Sequence, residues 1–448
     1  MGQSVDRAVL NKALNIARDL GAADAEVIVT HSADLDIEVA QGVLETLETA
    51  GSSGLGVRVF TPDRRMGFAY TTALDAGARS VAEAAWQNAI ASDPDEHNVL
   101  PEEAATSEED WSEQDFLGIP LADKVAFCRE LEQKTLAADT RIARVQEASY
   151  SDSRSKYAIA NSHGLRRSYT NARCSCAVVA AASEPDTDSE MGWEFDFGPT
   201  FSALRPEWVA ARCARHATQA LGGKPCPTAA MPIVLENRIA ASFLSVIVPA
   251  LMANNVLKGK SLFAGRVGER IASECVTIID QNDCAPGLNR APFDGEGASA
   301  QRTVLVERGA LRGYLHSAYT AHRMGEGATA NGGRGGFRST PEVGATNCFV
   351  KPGGAAPEAL IEMTGSGLFV THAMGVHTAD PISGDFSLGA SGMLIEGGRL
   401  TRPVRGVTLA GNMKDLLKNI QAVGNDLRFF GAFGAPSVLV SELMISGA

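Results

Sequence analysis

Eight histidines and eight cysteines are the side chains best suited to metal or nucleophilic chemistry in this chain of 448 residues. His31, His97, His163, His216, His316, His322, His372 and His377 never fall three or four apart. That spacing on one helix face is the usual way to present two imidazoles to zinc. His372 and His377 lie five apart in THAMGVHTADPISGDF, His316 and His322 lie six apart, and Cys348 can join them only through the fold. A metallohydrolase using His372, His377 and Cys348 is one reading, against isolated polar histidines on loops. Cys174 and Cys176 sit two apart in the strand-like CSCAVV, so they share a face. They are either a soft metal pair or small core-facing side chains. HExxH, CxxC, GxxxxGK[ST] and GxSxG are all missing from the sequence. The glycine-rich NGGRGGF (331–337) lacks the preceding strand and following helix of a phosphate cradle. It is expected to be a mobile loop close to a partner or peptide.

Periodicity supplies the elements that would hold these residues. Val9, Leu10, Ala13, Leu14, Ala17 and Leu20 recur at helical spacing before Gly21. Strand-like runs AEVIVTHS, DLDIEVAQG, GVRVF and MGFAYTT follow, then a helix over 75–91. The acidic stretch 92–120 reads as an exposed connection. The same order then recurs: a helix over 121–138, strand-like runs from IARVQEASYSD to MGWEFDFG, and a helix over 206–221. EVAQGVLETLE echoes AIANSHGLRRSY, and MGFAYTTALDAG echoes MGWEFDFGPTFS. A duplicated helix-plus-antiparallel-sheet unit is expected. GGKPCPTA (222–229) is the best boundary. After the helix-like NRIAASFLSVIVPALMANNVL, short apolar runs and glycine dominate, with hairpin signals in VERGAL and IEGGRL. The fold class is therefore α+β, with an N-terminal α/β domain over 1–222 and a mostly antiparallel β domain over 229–448.

Charge narrows the function classes. The 40 basic and 53 acidic residues leave a net charge of −13, which disfavours general attraction to nucleic acid. No apolar run reaches the roughly 18–20 residues that span a bilayer. No signal peptide is expected at the N-terminus. Sparse, irregularly spaced cysteines fit reduced thiols in a cytoplasm.

KGKSLFAGRVGERIAS (258–273), PISGDFSLGASGMLIEGGRLTRPVRGVTLAGNM (381–413) and NIQAVGNDL (419–427) resemble the TldD/PmbA family, once called modulators of DNA gyrase. YAIANSHGL and the overall length also fit, and the match is closer to the PmbA (TldE) branch. The family's active branch resembles a zinc peptidase, with HExxxH on a helix shortly before the segment matching KGKSLFAG and a cysteine near the C-terminus as third ligand. Counting back from Lys258, that motif falls on Leu244-Ser245-Val246-Ile247-Val248-Pro249. Neither imidazole nor carboxylate is there, and no cysteine follows Gly424.

The resemblance therefore implies a non-catalytic subunit of a heterodimeric peptidase that degrades or processes unfolded peptides. No catalytic residue, metal ligand or cofactor is expected in this chain, and zinc is expected in an HExxxH-bearing, TldD-like partner. An alternative is a stand-alone homodimer that binds peptide or acts as a scaffold. The oligomer is expected to form mainly through the C-terminal half. Peptide held as an added strand would gain affinity from backbone hydrogen bonds. Asn254, Asn255, Lys258, Gly384, Asp385 and Asn412 are the candidates for lining its path, with a purely structural role in turns as the competing reading. No nucleic acid or membrane is expected as a partner.

Overall fold

The two central strands of the N-terminal half, over 24–40 and 142–161, each run beneath two pairs of helices, which is why they reach nearly twenty residues. The computed structural model describes residues 3–102, 105–112, 115–185 and 188–447. The first unit is α1 (Gln3–Asp19), β1 (Asp24–Ala40), β2 (Val43–Phe60), β3 (Met66–Thr71) and α2 (Leu74–Ala91). After β4 (Thr106–Trp111) comes a second unit: α3 (Leu121–Ala138), β5 (Ile142–Asn161), β6 (Arg166–Ala182), β7 (Glu190–Gly198) and α4 (Pro206–Gln219). Ala25, Val27 and Val29 of β1 pack with α1 and α2. Ile37 and Val39 at its other end pack with α3 and α4. AEVIVTHS and DLDIEVAQG are thus one strand rather than two.

The sheet order is β3-β2-β1-β5-β6, with β7 and β4 both paired to β6. β1 and β5 pair antiparallel from Glu26–Asn161 to Val39–Ala148. The two units meet about this central seam as pseudo-symmetric halves, as the sequence echoes anticipate. Gly42 and Gly164 both take positive φ at hairpin tips. Gly67 lets α2 approach β3 at the Ala85 carbonyl, and Gly192 lets α4 approach β7 at the Cys213 carbonyl. Side chains would overlap those carbonyls. The acidic connection departs from expectation: Thr106–Trp111 is a strand pairing parallel with Arg166–Asn171. It pairs with β6 alone and is therefore an edge strand, with exposed and half-buried side chains alternating along TSEEDW.

The C-terminal half carries β8 (Ala229–Leu235), α5 (Asn237–Ile247), α6 (Ala253–Leu257), β9 (Ile278–Gln281), β10 (Arg302–Glu307), β11 (Ala310–Leu311) and α7 (Ala318–Met324). Next come β12 (Gly332–Gly333), β13 (Glu342–Val343), β14 (Cys348–Val350), α8 (Pro357–Thr364), β15 (Gly367–Met374), β16 (Asp385–Glu396) and β17 (Arg399–Asn412). The chain ends on α9 (Met413–Lys418), β18 (Ile420–Val423), β19 (Arg428–Phe430), β20 (Phe433–Ala435) and β21 (Val438–Ser446). Strands β17, β16, β15, β8 and β21 form one sheet, closed on itself by pairing of β17 with β21. A second sheet runs β11-β10-β9-β14-β20-β19. Most pairs are antiparallel; β15–β8 and β14–β20 are parallel. The apolar α5 is buried between these sheets, in one core that draws on both.

NGGRGGF is not a mobile loop. Arg334 is buried in an ion pair with Glu26 of β1, and Phe337 is 4% exposed. A Cβ at Gly54 of β2 would overlap the Phe337 ring. Arg58 bonds Glu26 at 3.1 Å and Glu296 at 3.3 Å, so the C-terminal half is bolted to the helix-free face of the N-terminal sheet. No described helix is long and apolar enough to cross a membrane.

Candidate functional site

Helix α5 is where the segments carrying the sequence signal converge. Its Phe243 meets Phe386 edge-to-face, with ring centroids 5.2 Å apart. Asn237 donates to the Asp426 carboxylate at 3.2 Å. Gly384 lies so close to Leu262 and Asn412 that a Cβ would touch both. Segments 258–273, 381–413 and 419–427 thus share one core with this helix, through Phe263, Phe386 and Ile420 among others.

The positions aligned with the peptidase motif fall at the end of that helix. Leu244, Ile247 and Val248 are 3%, 2% and 0% exposed and belong to the main core. Ser245 donates its hydroxyl to the Ser242 carbonyl at 2.7 Å. Aliphatic carbon offers no electron pair to a metal, and zinc requires nitrogen, sulfur or oxygen donors. Among the described residues no three His, Cys, Asp or Glu side chains converge to hold an ion. The residues present do not fit a zinc ion.

The other metal readings fare no better. Cys348 lies fully buried on β14, between β9 and β20, and burial pushes its thiol well above the usual range. His372 lies on β15 in the closed sheet, and His377 in the following turn. Burial, then Arg238 and His216, hold the His372 imidazole below its ordinary value. Cys174 and Cys176 are core residues packed beneath α3 and α4. Burial raises both thiols to about 12, which leaves them inert.

The candidate peptide-path residues form two groups. Gly384, Asp385 and Asn412 are together: Asn412 Nδ2 donates to Asp385 at 2.7 Å and to the Ser383 carbonyl at 3.0 Å. Asn412 also caps α9, its Oδ1 accepting from the Lys414 amide. Gly384 has φ of +85°, a conformation that favours glycine. In the second group, Asn255 Nδ2 donates to the Pro249 carbonyl at 2.8 Å, and Asn254 Oδ1 accepts from the Asn255 amide. Lys258 is exposed at the end of α6. Asn255 and Asn412 therefore spend their side chains on local backbone.

A charged knot at the N-terminal end of α5 has no counterpart in the sequence reading. Glu194 of β7 is fully buried and accepts from Arg212 at 2.9 Å, Arg238 at 2.8 Å and Arg428 at 2.8 Å. Burial alone would raise its carboxyl, but the three guanidiniums win and hold it at about 2. Arg238 and Arg428 also donate to the carbonyls of Trp193 and Phe195, satisfying part of the open edge of β7. The signal lay in MGWEFDFG, where Glu194 and Asp196 share the buried register with Gly192 and Gly198. Beside this knot a cleft of about 690 Å³ opens between the two halves.

Three segments match family profiles: residues 25–89, PmbA/TldA metallopeptidase domain 1; residues 114–221, the central domain; residues 228–447, the C-terminal domain. Over 450 aligned residues the chain is 30% identical to Metalloprotease PmbA of Escherichia coli O157:H7, covering 98% of this chain and 97% of that one. It is 27% identical to the PmbA homologue of Haemophilus influenzae over 98% and 96% of the two chains. A crystal structure of a candidate DNA-gyrase modulator from Thermotoga maritima superposes with a TM-score of 0.90 at 26% identity, over 98% of this chain and 100% of that one. TldE from Thermococcus kodakarensis shares the fold, with a TM-score of 0.88 at 21% identity over 98% and 100%.

Proposed function

Because the chain belongs to the PmbA/TldD metallopeptidase family, we propose that it is the non-catalytic subunit of a two-chain zinc peptidase acting on unfolded peptides in the cytoplasm. The observation that carries this reading is α5: the helix aligned with the family's motif buries Leu244, Ile247 and Val248 in the core and presents no metal donor. Zinc and the water-activating carboxylate then belong to an HExxxH-bearing paralogue. This chain contributes a wall of the substrate chamber, with Asn254, Lys258, Gly384 and Asp385 nearest the peptide. Free thiols throughout the described residues, all but Cys275 buried or partly shielded, favour a reducing compartment.

The test mixes the purified chain with the host's HExxxH paralogue and follows cleavage of an unfolded peptide. Neither chain alone is expected to match the mixture, and elemental analysis of this chain after dialysis is expected to find no stoichiometric zinc. Full activity of the paralogue alone, together with a stable homodimer of this chain, would favour a peptide-binding scaffold. One tightly held zinc per chain would overturn the subunit assignment.

A further inference from the structure

We propose that the cleft between the two halves binds a short peptide through its free C-terminal carboxylate. The cleft of about 690 Å³ lies between α4 with the β6–β7 edge on one side and the 285–290 loop, α8 and residues 426–429 on the other. That volume suits a small ligand, since such sites run from about 300 to 1,000 Å³ and favour domain boundaries. Trp208, Arg212, Arg215 and Gln219 line it from α4. Their spacing of four, three and four puts them on one helix face.

Charge inside the cleft is unbalanced in a direction opposite to the whole chain. Asp196 is held by Arg205 at 2.9 Å. Glu236 accepts from Arg212 at 3.1 Å, and Asp426 accepts from Ser437 at 2.8 Å. Arg212 and Arg428 are engaged by Glu194. That leaves Arg173 and Arg215 exposed and Arg290 half-buried, with no carboxylate partner for any of them among the described residues. Arg290 stacks over Trp111, 5.2 Å from the ring centroid. Against these three guanidiniums stand two carboxylates without a cation: exposed Glu358 on the first turn of α8, and half-buried Asp426, whose partners Ser437 and Asn237 are neutral. A chain with a net charge of −13 has thus kept a cationic pocket.

A guanidinium fork matches a carboxylate or a phosphate equally well. The apolar walls, Phe197, Leu288, Ile361 and Phe369, suit a terminal apolar side chain and give nothing to an inorganic anion. The choice of a peptide rests on the proposed peptidase role; the preference for an anion rests on the arginines alone.

Calorimetric titration of the whole chain tests this with three probes: the tripeptide Ala-Ala-Leu as the free acid, the same peptide amidated, and inorganic phosphate. The free acid is expected to bind, and amidation to weaken it about tenfold, the scale of one charge-assisted hydrogen bond. Arg215→Gln should weaken the free acid by a similar factor. Glu358→Gln, which removes one competing charge, should tighten it. Equal binding of acid and amide, binding of phosphate alone, or no binding at all would each overturn the proposal. Cleavage by the reconstituted pair is scored separately. Cleavage without binding here leaves the subunit role standing and removes the cleft. Binding without cleavage does the reverse.

Discussion

Glu194 sits fully buried among three guanidiniums, and its carboxyl is held near 2, below the ordinary glutamate value of 4.5. A carboxyl depressed in the folded state contributes stability that is present above about 4.5 and lost as pH falls toward about 2. By linkage the contribution is about 3 kcal/mol. Acid denaturation should therefore steepen across that window, and Glu194→Gln should flatten it. The same substitution takes the shared carboxylate from three half-buried guanidiniums, of which Arg212 keeps Glu236, and should cost about 3 kcal/mol at neutral pH, read by urea unfolding. A loss within experimental noise would mean that the arginines find other partners. Glu194 was not singled out from the strand-like MGWEFDFG, and its partners could not be, because Arg212, Arg238 and Arg428 lie on three separate elements. That 244–249 carries neither histidine nor carboxylate was legible, since it concerns residue types alone. Which of Asn254, Asn255 and Asp385 had side chains to spare was not, because that depends on where Pro249 and Asn412 end up.

At the level of elements, periodicity located α1 to α5 and most strands but not the short α8 and α9, which offer too few turns for a periodic signal, and local echoes located the repeat. The strands proved longer than their apolar runs. The polar middles of β1 and β5 are held by pairing with each other, at Ser32–Ser155 and Asp34–Ser153, rather than by burial. The strand at 106–111 was missed for the same reason: an edge strand needs only one neighbour and can stay acidic on its open side. Equivalent glycines offer a direct test of the duplication. Gly67→Val and Gly192→Val each drive a side chain into the backbone of the helix that closes its unit. Each should lower stability by about 1–3 kcal/mol, the usual scale of overpacking, with similar shifts in thermal midpoint. If only one variant suffers, the two units are not equivalent in packing.

Across the whole molecule, Arg334 and Phe337 join the halves. Phe337→Ala removes a ring packed against Gly54 and edge-on to Tyr70 and should cost about 3–5 kcal/mol. The loss should show as a second, earlier calorimetric transition as the halves uncouple; a single transition merely shifted would mean that other contacts dominate. The central seam has a consequence for the order of synthesis. β1 leaves the ribosome long before residues 148–161, its eventual neighbours, have been made. Until then its outer backbone groups form an open edge that can accept any strand of matching register. The seam is antiparallel and pseudo-symmetric, so the partner most like β5 is the β1 of another nascent chain. A fragment ending at residue 102 is therefore expected to run as a dimer in light scattering, and a full-length chain emerging from a crowded polysome has a built-in route to domain swapping that only timely arrival of β5 closes.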